Sequence, residues 1–247
     1  MDTPVILKIF HKGKMKEYFV KPEGEMHTDL GLIKLDELKA KNFGDKISSH
    51  LGAEFVIQKP RATDFFNHAK RSGAPMMPKD IGVIISNTGL GSSDSVLDAG
   101  TGSGILAIYL GGIAKKVVTY EVRDDFVEIA RDNIALTGLS NIECRHGDIV
   151  EEIRKLEERF DVITLDTIAA AQVIPYIPDV IYPGGFLVTY SPFFEQAKEI
   201  REAIGKTNYI DVMTKETLER EISFPDRGTR PATARVGHTG FITIARY

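Results

Sequence analysis

The apolar residues at the start of the chain fall in short runs that are separated by turns. Residues 5–10 and 15–20 form two such runs, and residues 11–14 between them have the length and the glycine of a hairpin turn. Residues 54–58 form a further run. Runs of this length are typical of strands, so the pattern predicts a small β-rich domain over residues 1–60.

Residues 61–94 have the apolar spacing of helices. Phe65 and Ala69 are four positions apart and share one helix face. Pro78 is suited to the first turn of a second helix, and Gly89 is suited to its end. We therefore expect a helical connector after the β-rich domain.

From residue 95 the pattern changes to strands that alternate with helices. Strand-length apolar runs occur at residues 96–97, 117–122, 142–145, 162–165 and 186–190. Helical spacing occurs at residues 103–113, 123–137, 149–158, 172–181 and 193–205. This alternation predicts βαβ units with a mostly parallel sheet, which is an α/β domain over residues 95–247. Late strands at 209–212 and 241–247 predict a terminal antiparallel hairpin on that sheet.

The composition is ordinary for a globular protein, with 43% hydrophobic and 27% charged residues. No stretch approaches the ~20 apolar residues of a membrane span, and the first residues lack the features of a secretory signal. The single cysteine, Cys144, excludes an intramolecular disulfide and a cysteine-cluster zinc site. We therefore expect a cytoplasmic protein with no membrane segment and no metal.

The net charge of −4 conceals an uneven distribution. Residues 1–80 contain 14 Lys and Arg against 11 Asp and Glu, and residues 222–247 contain four Arg against one Asp, so each end carries +3. The middle of the chain must then carry −10. If the protein binds a polyanion such as a nucleic acid, we expect the two ends of the chain to contact it. A surplus of three positive charges also occurs on ordinary solvated surfaces.

A glycine-rich loop follows the first predicted strand of the α/β domain and opens its first helix. Gly100, Gly102 and Gly104 allow a tight turn, and the N–H groups at the start of the helix can point at a ligand. A dinucleotide-binding fingerprint requires glycine at the next position, where this chain has Ile105. The loop is therefore suited to a ligand that has no pyrophosphate group.

Acidic residues end the strands that follow the glycine loop. Glu121 ends the second strand, where a carboxylate can accept hydrogen bonds from both ribose hydroxyls. Asp148 ends the third strand and can accept from an adenine amino group, while Ile149 covers the ring. Asp166 ends the fourth strand. Because open α/β sheets bind ligands at the carboxyl ends of their strands, these residues predict a nucleoside site.

This arrangement resembles the S-adenosylmethionine-dependent methyltransferases of the Rossmann-like class over residues 95–247. The resemblance implies that the glycine loop holds the methionine part of the cofactor, Glu121 the ribose and Asp148 the adenine. The full set of predicted cofactor-binding residues is Met77, Gly100, Gly102, Ser103, Gly104, Leu106, Glu121, Val122, Asp148, Ile149 and Asp166.

Further segments are similar to the single-polypeptide tRNA (adenine-N1)-methyltransferases of archaea and bacteria. These segments are residues 27–31 (HTDLG), residues 78–80 (PKD), residues 120–123 (YEVR) with Phe126, and residues 230–233 (RPAT) followed by 238–242 (HTGFI). The resemblance therefore covers the whole chain, including the small N-terminal β domain. It implies methylation of a T-loop adenosine at tRNA position 58 or its neighbour, contact of the N-terminal domain with tRNA, and a homotetramer.

Roles beyond cofactor binding are also predicted. Asp166 is expected to be the catalytic carboxylate that accepts from the exocyclic amine of a flipped-out adenine, whose N1 attacks the methyl group directly. Arg230 and His238 are candidate tRNA contacts. Two departures from the family pattern are residues 167–171, which replace a proline-containing stretch, and Met77, which replaces an aromatic residue or histidine.

The residues leave other interpretations open. Asp166 could simply cap its strand, and Arg230 could form a structural ion pair at a subunit contact. Because residues 167–171 depart from the family pattern, the chain could be a non-catalytic tRNA-binding subunit. It could also be a methyltransferase that acts on a small molecule or on a different RNA. The intact glycine loop, Glu121 and Asp148 argue against a purely structural role.

Overall fold

A computed structural model describes residues 3–224, 228–232 and 237–247, which form two compact units. The first unit contains the described residues up to Lys70 together with Asp132–Leu139. The second contains Arg71–Arg131 and the described residues from Ser140 onward. The glycine loop and the acidic residues predicted to bind a nucleoside all belong to the second unit.

Short antiparallel strands make up most of the first unit. They are β1 (Val5–His11), β2 (Lys14–Val20), β3 (Glu25–Thr28), β4 (Gly31–Lys34), β5 (Lys46–Ser48) and β6 (Glu54–Gln58). One sheet has the order β2-β1-β6-β5, and β3 pairs with β4 in a separate hairpin. Leu7, Phe55 and Ile57 are fully buried in the core between them. The β-rich character predicted for this region is confirmed, and β3, β4 and β5 add to the strands predicted.

The second unit contains a mostly parallel sheet, as the alternating pattern predicted. Its described strands are β7 (Ser95–Ala99), β8 (Lys116–Glu121), β9 (Ile142–His146), β10 (Phe160–Leu165), β11 (Ile181–Ser191), β12 (Ile210–Glu216), β13 (Ile222–Ser223), β14 (Arg230–Pro231) and β15 (Phe241–Arg246). Seven of them form one sheet in the order β12-β15-β11-β10-β7-β8-β9. Strands β11, β10, β7, β8 and β9 run parallel, and successive residues of β7, β8 and β10 are buried, as in a sheet that is covered on both faces.

The chain end adds the antiparallel part of this sheet. Strand β15 pairs antiparallel with β11 on one side and with β12 on the other, so the antiparallel pair predicted from residues 209–212 and 241–247 is confirmed. The sequence predicted only a loop between these strands. Within it, β13 and β14 form a two-stranded antiparallel ribbon.

The helices flank these strands, and some are shorter than predicted. The α-helices are α1 (Ala62–His68), α2 (Pro78–Thr88), α3 (Ile105–Gly111), α4 (Asp124–Thr137), α5 (Ile149–Glu152), α6 (Ala170–Val173), α7 (Ile177–Val180) and α8 (Phe194–Ile204). Short 3₁₀ helices cover Leu35–Ala40, Ile153–Lys155 and Ile174–Tyr176. Among the residues described, no helix has both the length and the apolar character needed to cross a membrane.

Two of the predicted helices were wrong in length. The segment 149–158 contains only α5 and the 3₁₀ helix Ile153–Lys155. The segment 172–181 is divided into short helical pieces, because Pro175 and Pro178 have no N–H group to continue an α-helical hydrogen-bond pattern. In contrast, α2 begins at Pro78 and is followed by Gly89 in the left-handed conformation, as predicted.

Candidate active site

Gly100 brings the ends of two neighbouring strands together. It follows β7 with a φ angle of 89°, in the left-handed region that favours glycine. A Cβ atom at this position would lie 1.9 Å from the backbone oxygen of Asp166, the residue after β10. Glycine is therefore required for this close approach, which places Asp166 beside the glycine loop. Gly104, with a φ of 82°, caps α3 and faces Ala130 of α4.

The Glu121 carboxylate is held by the backbone of two loops. Glu121 is the last residue of β8 and is only 7% exposed. Its Oε2 accepts a hydrogen bond from the N–H of Gly102 at 2.9 Å, and its Oε1 accepts one from the N–H of Arg123 at 3.1 Å. These donors fix the orientation of the carboxylate. Each oxygen still has a lone pair for a further donor, so the group can bind a vicinal diol.

Asp98, the acid that precedes the glycine loop, joins three strands of the sheet. It lies in β7 and is 1% exposed. Its two carboxylate oxygens accept hydrogen bonds of 2.6 Å from the hydroxyl groups of Thr119 in β8 and Thr164 in β10. Burial raises the pKa of Asp98. Because both of its oxygens accept hydrogen bonds from neighbouring strands, Asp98 holds the end of β7, from which the glycine loop starts, against β8 and β10.

A cavity of about 580 Å³ opens at the carboxyl ends of the strands. Most of the predicted cofactor-binding residues line it: Gly100, Gly102, Ser103, Leu106, Glu121, Val122, Asp148, Ile149 and Asp166. Gly104 and Met77 are not among the described residues that line this cavity. Met77 is the residue before α2, and the neighbouring Met76 lines the cavity instead.

The cavity also has walls that the sequence did not predict. Residues 72–76, before α2, line it together with Arg123 and Phe126. The guanidinium of Arg123 lies 3.8 Å from the centre of the Phe126 ring. Residues 72–76 have no apolar periodicity, and their Gly and Pro residues signal only an irregular loop, so the sequence offered little to predict this wall.

Asp166 has a carboxylate with no hydrogen-bond partner in the described part of the chain. Its backbone N–H donates to the carbonyl of Ala99 at 2.8 Å, which fixes the residue at the end of β10. The side chain is partly exposed at the cavity wall. Burial is the main cause that raises its pKa to about 7, and the negative charges of Asp98 and Glu121 raise it further. Asp166 is therefore close to half ionised at neutral pH.

A second, smaller cavity also borders Asp166. It measures about 140 Å³ and shares Asp166, Thr167 and Ile168 with the larger cavity. Its remaining wall comes from Ala171 in α6, from the end of β11 with the residue that follows it, and from the first turns of α8. Tyr190 in β11 is part of this wall. Burial raises the pKa of Tyr190 to about 12, so its hydroxyl is protonated at neutral pH. The residues that depart from the family pattern, 167–171, thus lie at the junction of the two cavities.

The Pro-Lys-Asp segment and the chain end are linked by a buried polar network. The Asp80 side chain is fully buried and lies 2.7 Å from the ammonium group of Lys79. The ammonium group also donates to the hydroxyl of Thr239 at 2.7 Å and to the carbonyl of Thr217 at 2.8 Å. The Thr239 hydroxyl in turn donates to Asp80 at 2.8 Å. This network joins two motifs that lie far apart in the sequence.

The two predicted tRNA contacts lie outside both cavities. Arg230 is exposed in β14. The ring of His238 lies between the Glu216 carboxylate, 2.6 Å from Nδ1, and the carbonyl of Pro192, 2.9 Å from Nε2. The hydrogen bond with the Pro192 carbonyl is the largest cause that raises the pKa of His238, and the hydrogen bond with Glu216 is the next largest. Thr233, at the end of the Arg-Pro-Ala-Thr segment, lies outside the described residues. No cluster of three or more His, Cys, Asp or Glu suited to a metal occurs among the residues described.

Solved structures with a similar fold include methyltransferases. A Thermotoga maritima structure described as an S-adenosylmethionine-dependent O-methyltransferase has a TM-score of 0.83 and 25% identity, and the match covers 100% of this chain and 93% of that one. A structure of the tRNA (m1A58) methyltransferase TrmI from Aquifex aeolicus has a TM-score of 0.77 and 23% identity, with 98% and 96% covered. The predicted Rossmann-like methyltransferase fold is thereby confirmed.

Sequence comparisons identify the family. A curated Methanocaldococcus jannaschii protein, tRNA (adenine(57)-N(1)/adenine(58)-N(1))-methyltransferase TrmI, is 33% identical over 97% of this chain and 94% of its own length. The Thermus thermophilus tRNA (adenine(58)-N(1))-methyltransferase TrmI is 29% identical over 98% of this chain and 96% of its own length. Residues 74–227, more than half of the chain, match the family model described as the tRNA methyltransferase complex GCD14 subunit, and the chain belongs to this family of tRNA methyltransferases.

Proposed function

We propose that this protein transfers a methyl group from S-adenosylmethionine to N1 of a T-loop adenosine in tRNA, at position 58 or its neighbour. The observation that carries the proposal is the place of Asp166, which lines both a cavity suited to a nucleoside cofactor and a smaller cavity beside it. The archaeal and bacterial relatives that align along nearly the whole chain support the choice of acceptor.

The larger cavity is suited to S-adenosylmethionine. Glu121, fixed by two backbone N–H groups, would accept from the ribose hydroxyls. Asp148 would accept from the adenine amino group, with Ile149 against the ring, and the loop at Gly100 and Gly102 would hold the methionine part. When bound, the cofactor supplies an electrophilic methyl group.

The protein's own contribution to methyl transfer is positioning and electrostatics. The N1 atom of neutral adenine has a free lone pair, so no base is needed before it attacks. Holding two reactants in line can remove roughly 7–11 kcal/mol from a barrier. We infer that Asp166 accepts a hydrogen bond from the exocyclic amine and so orients the ring. As N1 becomes methylated the base gains positive charge, which a nearby carboxylate stabilises.

The raised pKa of Asp166 favours this role and sets an expected pH dependence. A carboxylate that is destabilised in the free protein gains most from a positive charge that develops only during the reaction. Because the pKa is about 7, the ionised fraction falls by about tenfold for each pH unit well below that value. We therefore expect kcat/KM for tRNA to decline in the same way below neutral pH. A rate that is constant between pH 5.5 and 7.5 would contradict the role of an ionised Asp166.

The proposed substrate also requires contacts away from the two cavities. The N1 atom lies on the Watson–Crick edge, so the base must leave its stack at a cost of a few kcal/mol. We propose that residues 1–60, Arg230 and His238 contact tRNA and offset this cost, in which case binding weakens steeply as salt rises. The family resemblance further leads us to expect a homotetramer in the cytoplasm.

The experiment that tests this function is a map of the modified nucleotide. The protein is incubated with unmodified transcripts of its cognate tRNAs and labelled S-adenosylmethionine, and digested tRNA is analysed by mass spectrometry. We expect 1-methyladenosine in the T-loop. A folded protein that binds the cofactor, measured by calorimetry, but labels no tRNA would contradict the proposal. A folded protein that binds tRNA but not the cofactor would instead support the non-catalytic subunit.

A second candidate is methyl transfer to an oxygen atom of a small molecule. The observation that favours it is the match, along the whole chain, to the Thermotoga maritima structure described as an O-methyltransferase. Residues 167–171, which depart from the tRNA enzymes' pattern, lie where either acceptor would enter. Turnover of cofactor in a tRNA-free extract of small metabolites, without labelling of tRNA, would favour this alternative.

A further inference from the structure

Two buried oxygen atoms in the smaller cavity have no hydrogen-bond partner among the described residues. They are the Oγ atom of Ser191 and the Oε1 atom of Gln196. Ser191 is the last residue of β11 and is 2% exposed, and Gln196 lies in the first turn of α8. Both residues line the cavity of about 140 Å³ that also contains Asp166. A buried polar atom without a partner destabilises a fold, so its presence requires an explanation.

The size and chemistry of this cavity are those of a site for part of a heterocycle. An engineered protein cavity of roughly 150 Å³ accommodates benzene, so the space beside Asp166 can accommodate a six-membered ring. The two unpartnered atoms differ in what they can do. The Gln196 carbonyl oxygen only accepts hydrogen bonds, whereas the Ser191 hydroxyl can also donate one. Together they offer an acceptor and a donor to one edge of a ring.

We propose that Gln196 and Ser191 recognise the edge of the acceptor adenine that faces away from the reacting nitrogen. The inference rests on the proposed function. The amino group of adenine carries two hydrogens, one on the N1 side and one on the N7 side. Asp166 accepts the first, Gln196 Oε1 accepts the second, and the Ser191 hydroxyl donates to N7. These contacts satisfy both buried oxygens and hold N1 toward the larger cavity.

This arrangement also selects adenine over guanine. Guanine carries an acceptor oxygen at the position of the adenine amino group. That oxygen would face Oε1 of Gln196 and the ionised carboxylate of Asp166, which both accept hydrogen bonds and donate none. Sites that leave buried polar groups unpaired reject a substrate far more strongly than sites that lose only packing.

The first test is a nearly isosteric apolar substitution, Gln196→Met. We expect kcat/KM for the cognate tRNA to fall about 5- to 150-fold, because the buried amino group of adenine loses an acceptor. The Kd for S-adenosylmethionine should not change, since Gln196 is not among the residues that line the larger cavity. The melting temperature should be equal to or above that of the wild type, because an unpartnered oxygen is removed. Gln196→Glu, which keeps an acceptor oxygen, should retain more activity than Gln196→Met.

A matched control is Thr189→Val. Thr189 is fully buried in the same strand as Ser191, and its hydroxyl also has no partner among the described residues, but it does not line the smaller cavity. Removing this hydroxyl should leave the rate within about twofold of the wild type, which corresponds to less than one ordinary hydrogen bond. An equal loss of rate in Thr189→Val and Gln196→Met would mean that the cavity oxygens have no special role.

The second test probes the contact between Ser191 and N7. A tRNA with 7-deazaadenosine at the methylated position lacks this acceptor, so the wild type should methylate it roughly 2- to 12-fold more slowly than the natural tRNA. Ser191→Ala should show the same reduction on natural tRNA and no further reduction on the deaza tRNA. If the deaza penalty is the same in both proteins, or if Gln196→Met retains full activity, the inference is overturned while the proposed function stands. A wild-type protein that methylates no adenosine in tRNA overturns both.

Discussion

Glu121 and Asp166 both lie at the carboxyl ends of strands in the parallel sheet, but their carboxylates differ in hydrogen bonding. Glu121 is held from both sides by backbone N–H groups of neighbouring loops. Asp166, also at the end of a strand, has no hydrogen bond to its carboxylate in the described residues, and its pKa is raised to about 7. The unpartnered oxygens of Ser191 and Gln196 line the cavity on its side.

This difference teaches how one sheet edge can serve two ligands. The half around Glu121 is organised before any ligand arrives, which suits a molecule that is the same in every reaction cycle. The half around Asp166 has polar groups without partners among the described residues, so in the proposed reaction they would be free to bind the reacting base. An unsatisfied carboxylate costs stability in the free protein and contributes most when positive charge develops nearby.

The substitution that should break both halves at once is Gly100→Ala. The added methyl group would overlap the backbone of Asp166, and alanine is strained at a φ of 89°. Misplacing a reacting group by 1 Å can cost about 10²-fold in rate, so with the added strain we expect turnover to fall about 10³-fold or more. Cofactor binding, followed by calorimetry, should be lost as well.

The matched control for Gly100→Ala is Gly82→Ala in α2. Gly82 is exposed, and a Cβ atom there would meet nothing within 4 Å. The change should leave turnover unaltered and stabilise the helix by about 0.5–1 kcal/mol. Normal turnover in Gly100→Ala would show that the close approach to Asp166 is not needed.

Asp166→Asn should affect chemistry far more than cofactor binding. Loss of the carboxylate that stabilises the charged base should lower kcat for tRNA about 10²- to 10³-fold. The Kd for the cofactor should change much less, because Glu121 and Asp148 remain. Single-turnover assays with tRNA and calorimetry with cofactor measure the two quantities separately. Asp179→Asn, at an exposed position of α7, is the control for loss of an acidic group and should behave as wild type.

Glu121→Gln should have the reverse signature. Hydrogen bonds to a charged group contribute about 1.5–3 kcal/mol, so replacing the carboxylate with an amide should weaken cofactor binding about 10-fold or more. At saturating cofactor, kcat should stay within a few-fold of the wild type. A variant that binds the cofactor normally but turns over slowly would reverse the roles assigned to the two carboxylates.

The smallest expected effect concerns stability and pH. Because folding raises the pKa of Asp166 from about 3.8 to about 7, the folded state binds the proton more tightly, and stability falls as pH rises through this interval. Asp166→Asn removes this dependence. Its melting temperature should match the wild type near pH 4 and exceed it by several degrees at pH 8. A variant less stable than the wild type at pH 8 would show that the carboxylate stabilises the fold.

The local sequence pattern predicted the sheet and the residues at the ends of its strands. It predicted much less well the side-chain contacts between elements that are far apart in the sequence. The glycine spacing and the acids after each strand predicted the lining of the larger cavity, because one strand end fixes each of them. The hydrogen bonds of Asp98 to Thr119 and Thr164 depend on strand order, which periodicity does not specify. Ser191 and Gln196 carry no sequence signal, since what distinguishes them is the lack of a hydrogen-bond partner among the described residues.

The apolar pattern also overestimated the length of some helices and did not predict the course of irregular loops. The spacing of apolar residues predicted one continuous helix across Pro175 and Pro178. In the structure the helix is interrupted there, because proline has no N–H group to donate. The irregular wall at residues 72–76 has no period and could not be predicted. Met77 was expected at the cofactor, but the neighbouring Met76 is the residue that lines the larger cavity.

The buried network of Lys79, Asp80 and Thr239 has a consequence for anyone who wishes to work with a smaller piece of this molecule. A fragment trimmed to the family-matched residues 74–227 would retain the whole glycine loop and both carboxylates, yet it would lack Thr239 and all of β15. The fully buried Asp80 would lose one of its two donors, and β11 would lose its antiparallel neighbour. Such a fragment would carry the glycine loop and both carboxylates without the stable scaffold that holds them in place.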